Sequence, residues 1–161
     1  MLDYTDLLDG PAVRETVAPL PESPTAVDGP VAVAVRRLRG QHMTTRVELY
    51  DEFAAALQFP PYFGHNLDAF DECLRDLSCP EGPEAPVVLA LTEPEAVLAE
   101  ATAERPWLLE AVADANAVRS GRGAGRIVLL AVEDDAEHAG PRWWREAAGG
   151  RPWAATGRPV G

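Results

Sequence analysis

Cysteine is scarce in this chain. Only two occur, Cys73 and Cys79, too few to staple a secreted scaffold, and with no second pair and no nearby histidines they make no zinc-ligand set. Both read as reduced thiols, and neither a cofactor nor a metal is expected. Long apolar runs are missing as well. No stretch approaches the roughly 18 apolar residues that a membrane helix needs, and no basic segment followed by an apolar one stands at the N-terminus. A cytoplasmic location without membrane contact is the default expectation. Positive charge is also in short supply, with 14 basic side chains against 26 acidic ones and a formal net charge of -12. That balance disfavours nucleic acid and anionic membrane and favours a cationic partner, although acidity also serves simply to keep a protein dispersed.

What remains is ample for one domain with tails: 161 residues, 47% of them hydrophobic, fall in the usual range for a single core. Residues 1–29 hold Pro11, Pro19, Pro21 and Pro24 among scattered acids such as Asp3, Asp6, Asp9 and Glu15. With no sustained period they read as a flexible Pro-rich acidic extension, removable without unfolding the body. Ordered structure is expected from the β-branched run VAVAV at 31–35, a strand buried on both faces. After a turn near Gly40, Thr45 and Glu48 form a capping box that opens a helix with apolar Val47, Tyr50, Phe53, Ala54 and Leu57, stopped by Pro60-Pro61. Asn66 caps a second helix with Leu67, Phe70, Cys73, Leu74 and Leu77 on one side. VVLAL at 87–91 is a second strand, and Thr92-Glu93-Pro94-Glu95 reads as another capping box starting a third helix to about Thr102. Pro106 opens a fourth, through Trp107, Leu108, Ala111, Val112 and Ala115, closed by the loop 120–125. Residues 127–132 are the third strand. The expectation is an α/β domain over residues 30–133, a three-stranded parallel sheet flanked by about four helices. Residues 134–161 form a flexible tail whose tryptophans can anchor it to the body.

The chemistry concentrates in residues 59–74, FPPYFGHNLDAFDECL, where an aromatic loop with one glycine runs directly into an acidic helix. Asp68 and Glu72 are four apart, as are Glu72 and Asp76. Asp71 is read beside them on the solvent side, and only Arg75 interrupts the negative field. Like charges at this spacing cost an isolated helix roughly 0.2 to 0.5 kcal/mol per pair, which a cationic partner would offset. An ordinary solvated helix face, with Asp68 near the positive helix end, is the plain alternative. Tyr62 and Phe63 can both close the core beneath the loop, with Phe63 the one assigned to it; Gly64 reads as backbone geometry and Asn66 as a cap. His65 reads as an exposed loop side chain and Cys73 as packing.

The same stretch resembles the barstar family, intracellular inhibitors of secreted guanyl-preferring ribonucleases such as barnase. The shared pattern is proline, one residue, Tyr62, an aromatic, Gly64, one residue, Asn66-Leu67-Asp68-Ala69, three residues, then Cys73-Leu74. Strand and helix order on either side also fits. The resemblance implies a barstar-like fold, a barnase-like basic ribonuclease as partner, a free monomer, and no enzymatic activity. It carries interface roles onto Tyr62, Asn66, Asp68 and Glu72, with Glu72 as the central anion entering the ribonuclease's phosphate site. Asp114, the nearest match to a later family acid, becomes a rim contact. This chain departs from the pattern twice: Glu72 stands where the family usually has aspartate, and Asp71 where it has an aromatic. Asp71 is kept in the partner-binding set as part of the acidic face.

Two rival functions deserve comparison. Clustered carboxylates can serve an enzyme, but Asp68, Asp71 and Glu72 share one short helix without a nucleophile or a facing acid. The loop Gly121-Arg122-Gly123-Ala124-Gly125 lacks the lysine and hydroxyl of a phosphate cradle and precedes a strand, so it reads as a turn. The second rival is a barstar-like immunity or binding module for another basic toxin or protein, without ribonuclease inhibition.

Overall fold

Apolar β-branched runs separated by amphipathic segments build a layered α/β structure, because parallel neighbours need crossovers and each crossover helix covers the sheet. The computed structural model describes residues 10–16, 25–28, 31–132 and 141–148. Its strands are β1 (Val13–Thr16), β2 (Thr25–Asp28), β3 (Val31–Arg39), β4 (Val87–Thr92) and β5 (Ile127–Val132). The helices are α1 (Arg46–Leu57), α2 (Leu67–Arg75), α3 (Arg105–Gly121) and α4 (Arg142–Ala147). The sheet order is β1-β5-β4-β3-β2. β1, β5, β4 and β3 run parallel, and β2 lies antiparallel on β3.

The expected three-stranded sheet is therefore too small. The two additional strands come from the segment read as a flexible extension, where β1 aligns Val13 with Leu129 and Thr16 with Val132. The short sequence VRET carries no apolar signature, yet all four of its residues are buried. The cover comes from the other end of the chain: Trp144 on α4 is fully buried and its indole N–H donates to the Arg14 carbonyl at 2.9 Å. The tail thus anchors through an aromatic, as expected, and does so with a short helix. What the sequence suggests for residues 1–9, 17–24, 29–30, 133–140 and 149–161 lies outside the described residues.

The central strands are buried on both faces. Leu89 and Leu129 join the core beneath the helices, while Val88, Val128 and Leu130 are equally inaccessible on the opposite face. β3 runs past the apolar pentapeptide because its arginines find partners. Arg36 forks onto Glu81 at 3.1–3.2 Å, and Arg39 Nε donates to Glu52 at 3.0 Å. Gly40 ends the strand where a Cβ would fall 1.9 Å from the Glu93 carbonyl oxygen.

In α1 the Thr45 hydroxyl accepts from the Glu48 amide, but the Glu48 carboxylate accepts from the amide and hydroxyl of Thr44, so the reciprocal half of the box is shifted by one residue. Leu49 is buried in place of the expected Val47, which is exposed. The third helix expected at 93–102 does not form. Glu93 and Leu98 have φ of 47° and 52°, and only a 3-10 turn, Pro94–Ala96, lies between them. The amides of Leu98 and Glu100 donate instead to the carbonyls of Met43 and Thr44, at 2.7 and 3.1 Å, which draws the segment onto the β3–α1 turn. The count of four α-helices is met only because α4 arises from the tail. Asn116 joins α3 to β5 by a reciprocal pair with the Ile127 backbone, 2.9 and 2.8 Å.

Candidate functional site

The loop between α1 and α2 is held from below by aromatic packing. Phe63 is buried, with its ring 5.8 Å from Tyr50 and 5.2 Å from Phe59, both near edge-on. Alternation then turns Tyr62 outward, where it is 85% exposed. Gly64 has no left-handed φ; the residue there is His65, at 48°. What Gly64 supplies is room, since a Cβ would lie 2.9 Å from Asn66 Nδ2. His65 is half exposed and bridges the loop to α1, with Nδ1 3.1 Å from the Phe63 carbonyl and Nε2 2.9 Å from Asp51. Asn66 caps α2, its Oδ1 accepting from the Ala69 amide at 2.9 Å and its Nδ2 donating to the Gly64 carbonyl at 3.2 Å.

On α2 the buried side is Phe70 and Leu74. Asp68 and Glu72 are exposed, as is Asp114 on α3. Asp76 is drawn off by Arg122 at 2.7 Å, so the free negative field contracts to Asp68, Asp71, Glu72 and Asp114. A cleft of ≈ 260 Å³ runs beside this face, lined in part by Leu57, Phe59, Tyr62, Glu72, Cys73 and Leu77. Burial pushes both thiols up, with Glu72 and Asp76 adding to the effect at Cys73, so neither is poised as a thiolate.

Asp71 differs from its sequence reading: it does not stand on the solvent side. It is half-buried, and its Oδ1 is buried without a hydrogen-bond partner among the described residues. Desolvation raises its carboxyl above the usual range; Arg75 opposes this, while Asp114 and Asp68 add to it. Tyr50 is 2% exposed, with its hydroxyl beside the Arg46 side chain. Burial raises the phenol, and its surroundings include Arg46, Glu104 and Asp71. Arg46 is ion-paired with Glu104 and lies 5.3 Å from the Trp107 ring centroid. Residue spacing could not have joined Tyr50, Asp71 and Trp107, because each belongs to a different helix and reads individually as core or surface.

The site is fastened from behind by Arg119 of α3, which is 2% exposed. Its Nη1 donates to the Leu77 carbonyl at 2.7 Å and, at 3.3–3.4 Å, to those of Arg75 and Leu74, while Nε donates to Gly125 at 2.7 Å. A cation thus meets the free carbonyls at the end of α2. The glycine-rich loop is a turn: its Gly125 amide donates to Pro83 at 2.8 Å, and a Cβ on Gly125 would fall 1.9 Å from the Ala85 oxygen.

Among the described residues no group of three or more His, Cys, Asp or Glu side chains is arranged to hold a metal ion, and no helix is long and apolar enough to cross a membrane. What the arrangement offers is a rigid, exposed acidic face beside an exposed aromatic. The family model for barstar, the barnase inhibitor, matches residues 33–131. No curated protein matches the chain.

Proposed function

Because the chain belongs to the barstar family, we propose that it is an intracellular inhibitor that covers the active site of a small basic secreted ribonuclease. The observation that carries this reading is the joint exposure of Tyr62, Asp68 and Glu72 around a loop whose backbone is fixed by Phe63 and Asn66. A ribonuclease must hold RNA phosphate with cationic side chains, and a rigid carboxylate can take that place through charge-assisted hydrogen bonds. Glu72 is the central anion in this reading, with Asp68 beside it, Tyr62 and Asn66 as loop contacts, Asp71 on the same helix and Asp114 at the rim. The chain acts as a free monomer, without a cofactor or catalysis of its own.

A second reading is an immunity or binding module for a different basic toxin. It draws support from Asp71, a half-buried carboxylate where the family has an aromatic. Inhibition assays separate the two. The full chain should abolish RNA cleavage by a barnase-like ribonuclease at stoichiometric concentration. Undiminished cleavage at micromolar excess, with no complex formed, would leave only the second reading.

A further inference from the structure

We propose that His65 is a protonation-dependent latch for the loop between α1 and α2: as an imidazolium it ties the loop backbone to α1, and as a neutral ring it holds only one of its two anchors. The inference rests on Tyr62 and Asn66 being partner contacts, as in the inhibitor reading, and goes beyond it by naming the residue that positions them and the condition under which it does so.

Both ring nitrogens of His65 face oxygens that only accept. Nδ1 lies 3.1 Å from the Phe63 carbonyl and Nε2 2.9 Å from Asp51 Oδ1. A neutral imidazole carries a single N–H, so either tautomer leaves a nitrogen lone pair pointed at an oxygen. The imidazolium donates to both and adds the attraction of the Asp51 carboxylate. Lowering the pH through the range in which imidazoles titrate, about 5 to 8, therefore completes the bridge, and raising it removes one bond.

The backbone shows what the bridge secures. His65 has a φ of 48°, a left-handed conformation that histidine, asparagine and aspartate adopt more readily than other residues with side chains. Its ring centroid lies 4.7 Å from that of Phe63 and 6.5 Å from that of Tyr50, so it packs at once on the loop and on α1. Exposed Tyr62 precedes it, and Asn66, the cap of α2, follows it. Fastening His65 fixes the placement of both contacts before a partner arrives, which lowers the ordering cost of binding.

The other charged groups on the packed elements are engaged away from the ring. On α1, Arg46 pairs with Glu104, Glu48 accepts from Thr44, and Glu52 holds Arg39. Tyr50 keeps its hydroxyl beside Arg46. Among the described residues His65 pairs with Asp51 and not with Asp68, Asp71 or Glu72 of α2. Asp51 also lines a polar cleft with Arg39 and His42, which makes His42 the control imidazole. Both His65 and Asp51 are largely exposed, so the latch has the strength of a solvent-screened pair, about two- to fivefold in an equilibrium constant.

The test uses the full chain in two arms. In the first, amide hydrogen exchange of the free chain is followed by NMR between about pH 5.5 and 8, as protection relative to the intrinsic rate at each pH. The reporters are the amides of Phe63 and Ala69, which donate to the Pro60 carbonyl and to Asn66 Oδ1. Their protection should be about two- to fivefold higher at the acid end. The rise should be absent in His65→Asn, reduced in Asp51→Asn and unchanged in His42→Gln. Asparagine tolerates the left-handed backbone, so His65→Asn removes the charge and leaves the turn. In the second arm, the ratio of Kd values for a barnase-like ribonuclease at the two ends of the range is divided by the same ratio for His65→Asn, which cancels titration of the ribonuclease itself. A residual of about two- to fivefold in favour of the acid end is expected. Equal protection at both ends overturns the latch, as does a pH response that survives His65→Asn, is untouched by Asp51→Asn or is abolished by His42→Gln. A ribonuclease bound with no residual overturns the positioning role and keeps the inhibitor. The expected loop response with no ribonuclease bound keeps the latch and removes the inhibitor.

Discussion

Arg119 holds the Leu77 carbonyl at 2.7 Å from a position sealed off from solvent, so the end of the acidic helix is bolted to α3 by a single buried cation. Burial lowers the Arg119 pKa, but the carbonyl oxygens around it keep the charged form bonded. Arg119→Met preserves much of the volume and strands the Leu77 and Gly125 carbonyls. It should cost about 3 kcal/mol, read as a lower urea midpoint. Arg119→Lys should recover only part, because an ammonium cannot reproduce the fork.

Glu72→Ala should weaken binding to a ribonuclease partner by about 2 to 5 kcal/mol, chiefly through faster dissociation, as is general when one member of a buried interfacial charge pair is removed, this family's complexes among them. Glu52, which its sequence position suggests as a neutral surface control, is unsuitable: it is 8% exposed and paired with Arg39. Glu95, exposed on the turn after β4, should be within about 0.5 kcal/mol of the parent. Surface plasmon resonance on the folded variants measures both, and an unchanged dissociation rate for Glu72→Ala would take that residue out of the interface.

The N-terminal segment should not be dispensable. Trp144→Ala removes the cover of β1 and the donor to Arg14, and should cost about 3 to 5 kcal/mol in chemical unfolding. Deleting residues 1–16 should lower the melting temperature as well, by stripping β5 of its parallel neighbour. A truncated chain that melts with the parent would show β1 to be ornamental.

Glu15 supplies a pH signature. It is 5% exposed, its Oε1 is buried without a hydrogen bond among the described residues, and desolvation raises its carboxyl above the usual range despite the attraction of Arg145. A carboxyl raised in the folded state favours the protonated form. Its stabilising contribution is full below the unfolded-state pKa and is lost as pH rises through the folded one. Glu15→Gln should therefore be more stable than the parent at neutral pH, with the difference vanishing below the unfolded-state carboxyl pKa, at about pH 4. Urea melts across the acid range measure it.

Legibility in the sequence followed the range of the forces involved. The strands at 31–35, 87–91 and 127–132 could be read because β-branched apolar runs announce burial on both faces, and the Asn66 cap because its bond to Ala69 spans three residues. β1 could not, since the burial of Arg14 and Glu15 depends on Trp144, 130 residues from Arg14. The false helix after β4 failed for a similar reason, its amides being claimed by Met43 and Thr44. In the site, helical spacing located Asp68, Asp71 and Glu72 together but could not tell which of them faces α3.

The pairing of β1 with β5 also orders events during synthesis. β1 has its parallel neighbour at residues 127–132, so this edge of the sheet cannot close until the ribosome has delivered β5. Both α1 and α2 have emerged long before. The nascent protein thus exposes the α1–α2 face on an unfinished scaffold, and the arrival of β5, a pairing of large sequence separation, sets the moment at which that face becomes rigid. The interval between those two moments is written into the strand order.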